Sequence, residues 1–179
     1  MSKVYTTAVV IIPPREIWGS IQDIRRKYDK QIHRWMPHIT LLYPFRPFND
    51  FDMLESLFKI VCKKIESFEI SFHNFNYFHH GKQKFTIWLN PESGKMIEFL
   101  QSKLLKVVPE CNDVNLHKIG FTPHLSVGQI MGRTNLNEVL STLQSSWNPL
   151  KFNLTSVYFI ARENQKDSVF KIKKEFKLK

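Results

Sequence analysis

Two short stretches hold residues that can move protons at neutral pH. Residues 36–45 read MPHITLLYPF and residues 122–130 read TPHLSVGQI. Each runs Pro, His, aliphatic, hydroxyl: Pro37-His38-Ile39-Thr40 and Pro123-His124-Leu125-Ser126. One His-x-Thr/Ser triplet arises by chance. Two copies, one in each half of the chain and each opening an apolar run, form a pattern. The chemistry that suits it is phosphoryl transfer. Imidazole titrates near neutrality, so one histidine can accept a proton while the other donates one. The hydroxyls can donate hydrogen bonds to non-bridging phosphate oxygens, where charge builds in the transition state. Cleaving a phosphodiester requires a proton taken from the attacking oxygen and another given to the leaving oxygen, and two histidines flanking phosphorus supply both.

The spacing says how these side chains are held. In a strand, residues i and i+2 share a face. His38 and Thr40 therefore point one way and Ile39 the other; the same holds for His124, Ser126 and Leu125. Each proline stands just before its strand, where a missing N–H costs little. If the two halves are related by a pseudo-twofold, these strands lie side by side and the four polar groups converge.

The surrounding pattern supports such a repeat. Residues 4–12 read as a buried strand. Ile17, Ile21, Ile24 and Tyr28 form a helical stripe, and the first motif strand follows over 37–43. Asn49 or Asp50 can cap a second helix with the stripe Leu54, Leu57, Phe58, Val61 and Ile65. Alternation over 68–73 and 84–89 predicts a hairpin whose connection holds His79-His80-Gly81-Lys82. A third helix is expected over 93–107, the second motif strand over 124–130, and a fourth helix carrying Leu136, Val139, Leu140 and Leu143. Residues 152–160 and 169–178 read as two final strands. Strands and helices mix throughout, no Gly-, Ser- or Pro-rich linker interrupts them, and a compact α+β fold fits.

The paired motifs resemble those of the two-histidine phosphoesterase superfamily, which includes the 2′,5′ RNA ligase and RNA cyclic phosphodiesterase group. Its pattern, His-hydrophobic-Thr/Ser twice, is matched by His38, Thr40, His124 and Ser126, and the order of elements agrees from Val4 to Leu178. The resemblance implies a single bilobal domain over residues 1–179. It would have two pseudo-twofold-related lobes, each with an antiparallel sheet and helices, and an active cleft between them. It implies catalysis by His38, His124, Thr40 and Ser126 without metal or cofactor. The expected substrates are 2′,3′-cyclic phosphate ends of RNA, opened to a 2′-phosphate, or 2′,5′-linked oligonucleotides. Two departures bear on substrate choice. The second hydroxyl is Ser126 rather than the commoner Thr. Several members carry an arginine shortly after the second motif, whereas here Val127-Gly128-Gln129 follows and the next basic residue is Arg133. An RNA- or nucleotide-binding module with weak or no catalysis is the alternative, though a pure binder has no use for two acid–base groups.

Around the first motif, Trp35, Tyr43 and Phe45 are candidates for stacking on a base, and Arg46 for a phosphate contact. Elsewhere the histidines 33, 73, 79, 80 and 117 read as structural. His79-His80 lacks a nearby carboxylate or cysteine to complete a zinc set. The formal charge of +10 in 179 residues favours an anionic partner. It gathers at Arg25-Arg26-Lys27, Lys59, Lys63-Lys64, Lys82, Lys84 and the tail from Lys171. Cys62 and Cys111, the only cysteines, make no CxxC and are expected to be free thiols in a reducing compartment. The apolar run Ala8–Ile12 is too short for a signal peptide or a span. A monomer in the cytoplasm, or the nucleus, with RNA or a nucleotide as partner and no membrane, is the expectation.

Overall fold

The computed structural model describes residues 2–116 and 120–179; His117 lies outside the described residues. Along the chain run β1 (Thr7–Ile11), α1 (Trp18–Tyr28), β2 (Ile39–Leu42), α2 (Phe51–Cys62), β3 (Phe68–His79) and β4 (Lys84–Pro91). They are followed by α3 (Gly94–Leu105), β5 (Leu125–Met131), α4 (Arg133–Ser146), β6 (Leu150–Leu154), β7 (Ser156–Ala161) and β8 (Lys171–Lys177). The strands form two four-stranded antiparallel sheets, ordered β2-β1-β7-β8 and β5-β4-β3-β6. The fold is α+β and two-lobed. β1-α1-β2-α2 corresponds to β4-α3-β5-α4, and each motif strand is an edge strand beside the strand that opens its repeat.

The lobes are not the two halves of the chain. The first sheet takes strands from both ends, and the second takes the middle. The helices cross between them: α1 packs on β5 and α3 against β2, while α2 covers β7 and β8 and α4 covers β3 and β5. Residues 152–160, expected as one strand, break at Thr155. β6 ends in the second sheet at Leu154 and β7 begins in the first at Ser156. The run is apolar on both sides of the break because both segments are buried, so hydrophobicity could not reveal the change of sheet.

Buried side chains from both sheets join in one continuous core. In α2 the inward residues are Phe51, Leu54, Phe58 and Cys62, at i, i+3, i+7 and i+11. Leu57 is 47% exposed, and Ile65 lies past the helix end. Phe45, Phe51, Phe58, Phe159 and Phe176 pack with ring centroids 4.5–6.0 Å apart, which fixes α2 on the first sheet. Asp50 does precede α2, but its carboxylate pairs with Arg46 and makes no side-chain cap. Both thiols are buried and unpaired, which pushes Cys62 to about 12 and Cys111 to about 11.

α1 approaches β5 closely because of one residue. A Cβ on Gly128 would lie 2.4 Å from Cβ of Tyr28 and 3.2 Å from that residue's backbone. Beside this crossing, Arg25, only 2% exposed, donates to Asp29 (2.7 Å), to Gln22 (3.0 Å) and to the carbonyl of Trp35 (2.9 Å). The reading of Arg25-Arg26-Lys27 as a charged surface therefore needs correction at its first member. Arg25 is an interior ion-pair residue, because the inward stripe of α1 includes its position between Ile21 and Tyr28.

Candidate functional site

The two motifs adopt the same local geometry. His38 and His124 each stand one residue before their strand. Nδ1 of His38 donates to the carbonyl of Met36 at 2.7 Å, and Nδ1 of His124 donates to that of Thr122 at 2.7 Å. In both cases the acceptor is two residues back and immediately precedes the proline. Proline restricts the residue before it to extended backbone, so Pro37 and Pro123 help to aim these carbonyls at the rings. A carbonyl only accepts, so Nδ1 holds the proton and, in the neutral ring, Nε2 carries the lone pair. Within the strands, Ile39, Leu41, Leu125 and Val127 are buried and Thr40 and Ser126 are partly exposed, a period of two that ends at Leu42 and Gly128, both buried.

β2 and β5, edges of different sheets, approach one another. Between them opens a cavity of about 370 Å³ whose wall includes Thr40, His124, Ser126, Phe78, His80 and Thr86. His38 is set back from that wall and partly buried. Burial lowers its pKa from the ordinary 6.5 to about 4; the Met36 carbonyl opposes this, and the charges of Arg25 and His124 add to it. His124 is thus near enough for its charge to disfavour a proton on His38.

Aromatic rings hold both imidazoles. Trp35 stacks on His38 with centroids 4.7 Å apart and also on Phe170 at 3.8 Å, with Tyr43 edge-on at 5.4 Å. His124 meets the edge of Phe78 at 4.8 Å and lies 5.8 Å from Trp88. Trp88 is buried, and among the described residues its indole N–H has no hydrogen-bond partner.

Of the residues proposed from sequence to contact substrate, Trp35 stacks on His38, and Tyr43 packs against Trp35 while its hydroxyl donates to the carbonyl of Tyr5 (3.3 Å). The other two are corrected. Phe45 is fully buried in the phenylalanine cluster and has no face to offer a base. Arg46 is buried and paired with Asp50 (2.6 Å) and Glu110 (2.8 Å), so its charge is committed within the protein. The lysine-rich tail forms β8, the edge of the first sheet furthest from β2, where Lys174 pairs with Asp52 and Glu55 of α2.

Sequence reasoning missed the other cavity wall. Phe78, His80 and Thr86 come from the β3–β4 hairpin, and Nε2 of His80 lies 2.9 Å from the Thr86 hydroxyl. The signal was the second face of β4, where Thr86 and Trp88 alternate with the core residues. Only the pairing of β4 with β5, which sets Trp88 opposite Ser126 and Thr86 opposite Gln129, turns that face toward the motif.

Two antiparallel sheets meeting at paired His-x-Thr/Ser edges define a two-histidine phosphoesterase fold. Solved structures of this fold align over nearly the whole chain. TT0787 of Thermus thermophilus matches with a TM-score of 0.66 at 15% identity, covering 97% of each chain. Escherichia coli LigT in complex with 3′-AMP matches with a TM-score of 0.62 at 14% identity, covering 97% of this chain and 98% of that one. A structure described as a phosphoesterase matches with a TM-score of 0.60 at 14% identity, covering 98% and 99%. No curated protein sequence shows significant similarity to the chain. The family model of the 2′-5′ RNA ligase superfamily matches residues 13–166, and the chain belongs to that superfamily. Membership carries a phosphoesterase- or RNA ligase-like function in general. Among the described residues, no helix is long and apolar enough to cross a membrane.

Proposed function

We propose that the protein is a metal-independent phosphodiesterase acting on RNA or nucleotide phosphodiesters, with 2′,3′-cyclic phosphate ends as the first substrate class and 2′,5′-linked oligonucleotides as the second. The observation that carries this reading is the matched anchoring of His38 and His124, each fixed by Nδ1 to the carbonyl before its proline, where the edges of the two sheets approach, with His124 in the cavity wall and His38 set back from it. Fixed tautomers with Nε2 as the working atom suit an acid–base pair. LigT, which shares the fold, has been crystallised with phosphate, 3′-AMP and ATP; ligands of that phosphate-bearing class are those we assign to this cavity.

In the proposed step, water attacks the phosphorus of the cyclic ester in line with O3′. Nε2 of His38, kept neutral by burial, takes the water proton. The P–O3′ bond breaks, and protonated His124 gives its proton to O3′, leaving a 2′-phosphate and a 3′-hydroxyl. Thr40 and Ser126 donate to the non-bridging oxygens. Trp35 acts through His38 by stacking on its ring, and Tyr43 packs edge-on against Trp35.

The test is hydrolysis of 2′,3′-cyclic nucleotides, cyclic-ended RNA, 2′,5′-oligoadenylate and linear 3′,5′-RNA in EDTA. His38→Ala and His124→Ala are each expected to lower the rate by about 10²–10⁴. Unchanged rates in either variant, or activity that EDTA removes and a divalent ion restores, would sink the mechanism.

A further inference from the structure

The cavity between the motifs shares its His80 and Thr86 wall with a second cavity of about 420 Å³, which is lined further by Lys84, Lys30 and Gln129. The two adjoin along the β4–β5 strip. Its rungs are Trp88 opposite Ser126, Thr86 opposite Gln129, and Lys84 opposite Met131. Successive same-face residues step outward by about 6.6 Å, so Lys84 stands roughly 13 Å along the strand from the rung that holds Ser126. A phosphate held at Ser126 does not fill that distance; a second phosphate further along a strand does.

The backbone carrying the cations on this path is held in place, and the cations are electrostatically available. The backbone N–H of Lys30 donates to Oε1 of Gln129 (2.9 Å), and Nε2 of Gln129 donates to Asp29 (3.2 Å). Asp29 is neutralised by Arg25, beside it in the interior. Lys84 closes the β3–β4 turn: its carbonyl accepts from the His80 N–H (2.9 Å) and its N–H donates to the carbonyl of Gly81 (3.0 Å). Among the described residues no carboxylate pairs with Lys30 or Lys84, and both side chains are exposed. Gln129, which occupies the stretch where several superfamily members carry an arginine, here fixes the lysine that brings positive charge to the same wall.

We propose that this trough is the path of an RNA strand whose terminal phosphodiester lies between the histidines, so that the protein prefers oligonucleotide ends to mononucleotides. This rests on the reading of the cleft as a phosphodiester site. Phe78 supplies a ring beside His124 for the terminal nucleotide. The His80–Thr86 pair meets the backbone as it leaves the cleft, and Lys84 and Lys30 meet the following phosphates.

The experiment has a binding arm and a turnover arm. Fluorescent oligonucleotides of one to eight residues ending in a 2′-phosphate are titrated at several salt concentrations against wild type, Lys30→Gln/Lys84→Gln and Lys173→Gln. Affinity should rise with length. The double variant should lose about tenfold for the longest strand, and its salt slope should fall by about 1–2. Lys173→Gln, on β8 at the far edge, should match wild type. In turnover, the kcat/KM ratio of cyclic-ended octamer to cyclic mononucleotide should fall about tenfold in the double variant. Length-independent binding, or equal losses in the double variant and Lys173→Gln, overturns the inference. So does a trough whose loss weakens binding to phosphatidylserine vesicles but not to RNA. Mononucleotide hydrolysis without a length effect keeps the catalytic reading and removes this one. Length-dependent, trough-dependent binding without turnover does the reverse.

Discussion

Acidification should weaken the protein through His38. In the unfolded chain the imidazole titrates near 6.5, while in the folded chain burial holds it at about 4. The folded value is the lower one, so the unfolded state takes up the proton first. Folding stability is therefore unaffected by this group above about pH 6.5, falls as pH drops from there, and levels off below about pH 4. Linkage puts the full loss at about 3 kcal/mol and the loss at pH 5 at about 2 kcal/mol, a large share of the ~5–15 kcal/mol that holds an ordinary domain together. Urea unfolding of wild type and His38→Asn at pH 7.5 and pH 5.0 isolates the contribution. The variant should lose about 2 kcal/mol less than wild type over that interval. In parallel, the ring proton of His38 should titrate by NMR with a midpoint near 4, and the acidic limb of kcat/KM should follow it. Trp35→Ala, which removes the ring stacked on His38, should move that midpoint back toward 6.5. Equal acid sensitivity in wild type and His38→Asn, together with a midpoint near 6.5, would refute both the burial of His38 and its assignment as the base.

Three further outcomes are expected. Thr40→Val and Ser126→Ala should each lower kcat by about 10–10³ with smaller changes in KM, since the proposed mechanism has the hydroxyls bind charge that grows in the transition state, whereas Ser126→Thr should stay within a few-fold of wild type; steady-state kinetics on a cyclic nucleotide decides. Gly128→Ala places a methyl 2.4 Å from Cβ of Tyr28 and should cost about 1–3 kcal/mol by overpacking, as read from urea midpoints, whereas Gly94→Ala, where a Cβ meets nothing within 4 Å, should not destabilise. Arg25→Met leaves Asp29 buried without its ion-pair partner and should cost about 3–5 kcal/mol; Arg25→Met/Asp29→Leu should be the more stable of the two, and the reverse order would show that the pair is not what holds α1 to the loop before β2.

Much of the site was legible because its chemistry is local. Pro-His-x-hydroxyl and the residue before it hold the anchoring carbonyl, the imidazole and the hydroxyl within five consecutive residues, so the second copy could be recognised from the first. Helices α1, α3 and α4 were legible through their stripes, and the hairpin through its alternation. The errors have a common cause. Phe45 and Arg46 follow the first motif in sequence, yet the chain turns inward after Tyr43, placing the ring in the phenylalanine core and the guanidinium between Asp50 and Glu110. Arg25 looked like surface charge because its neighbours are basic, but helical phase, not composition, decides which side chains face inward. The break at Thr155 was invisible because strands of two sheets can be equally apolar.

The sequence by itself determined the paired His-x-hydroxyl motifs, the face that each motif offers and the existence of a repeat, since a period of two and a proline's effect on its predecessor act over a few residues. Only the tertiary structure decided that the repeats exchange helices, that β2 and β5 meet as sheet edges, and that Phe78, His80 and Thr86 complete the cleft with Lys30 and Lys84 beyond it. Those arrangements depend on which strands pair and on where Gly128 lets α1 come close, and such contacts join residues far apart in the chain.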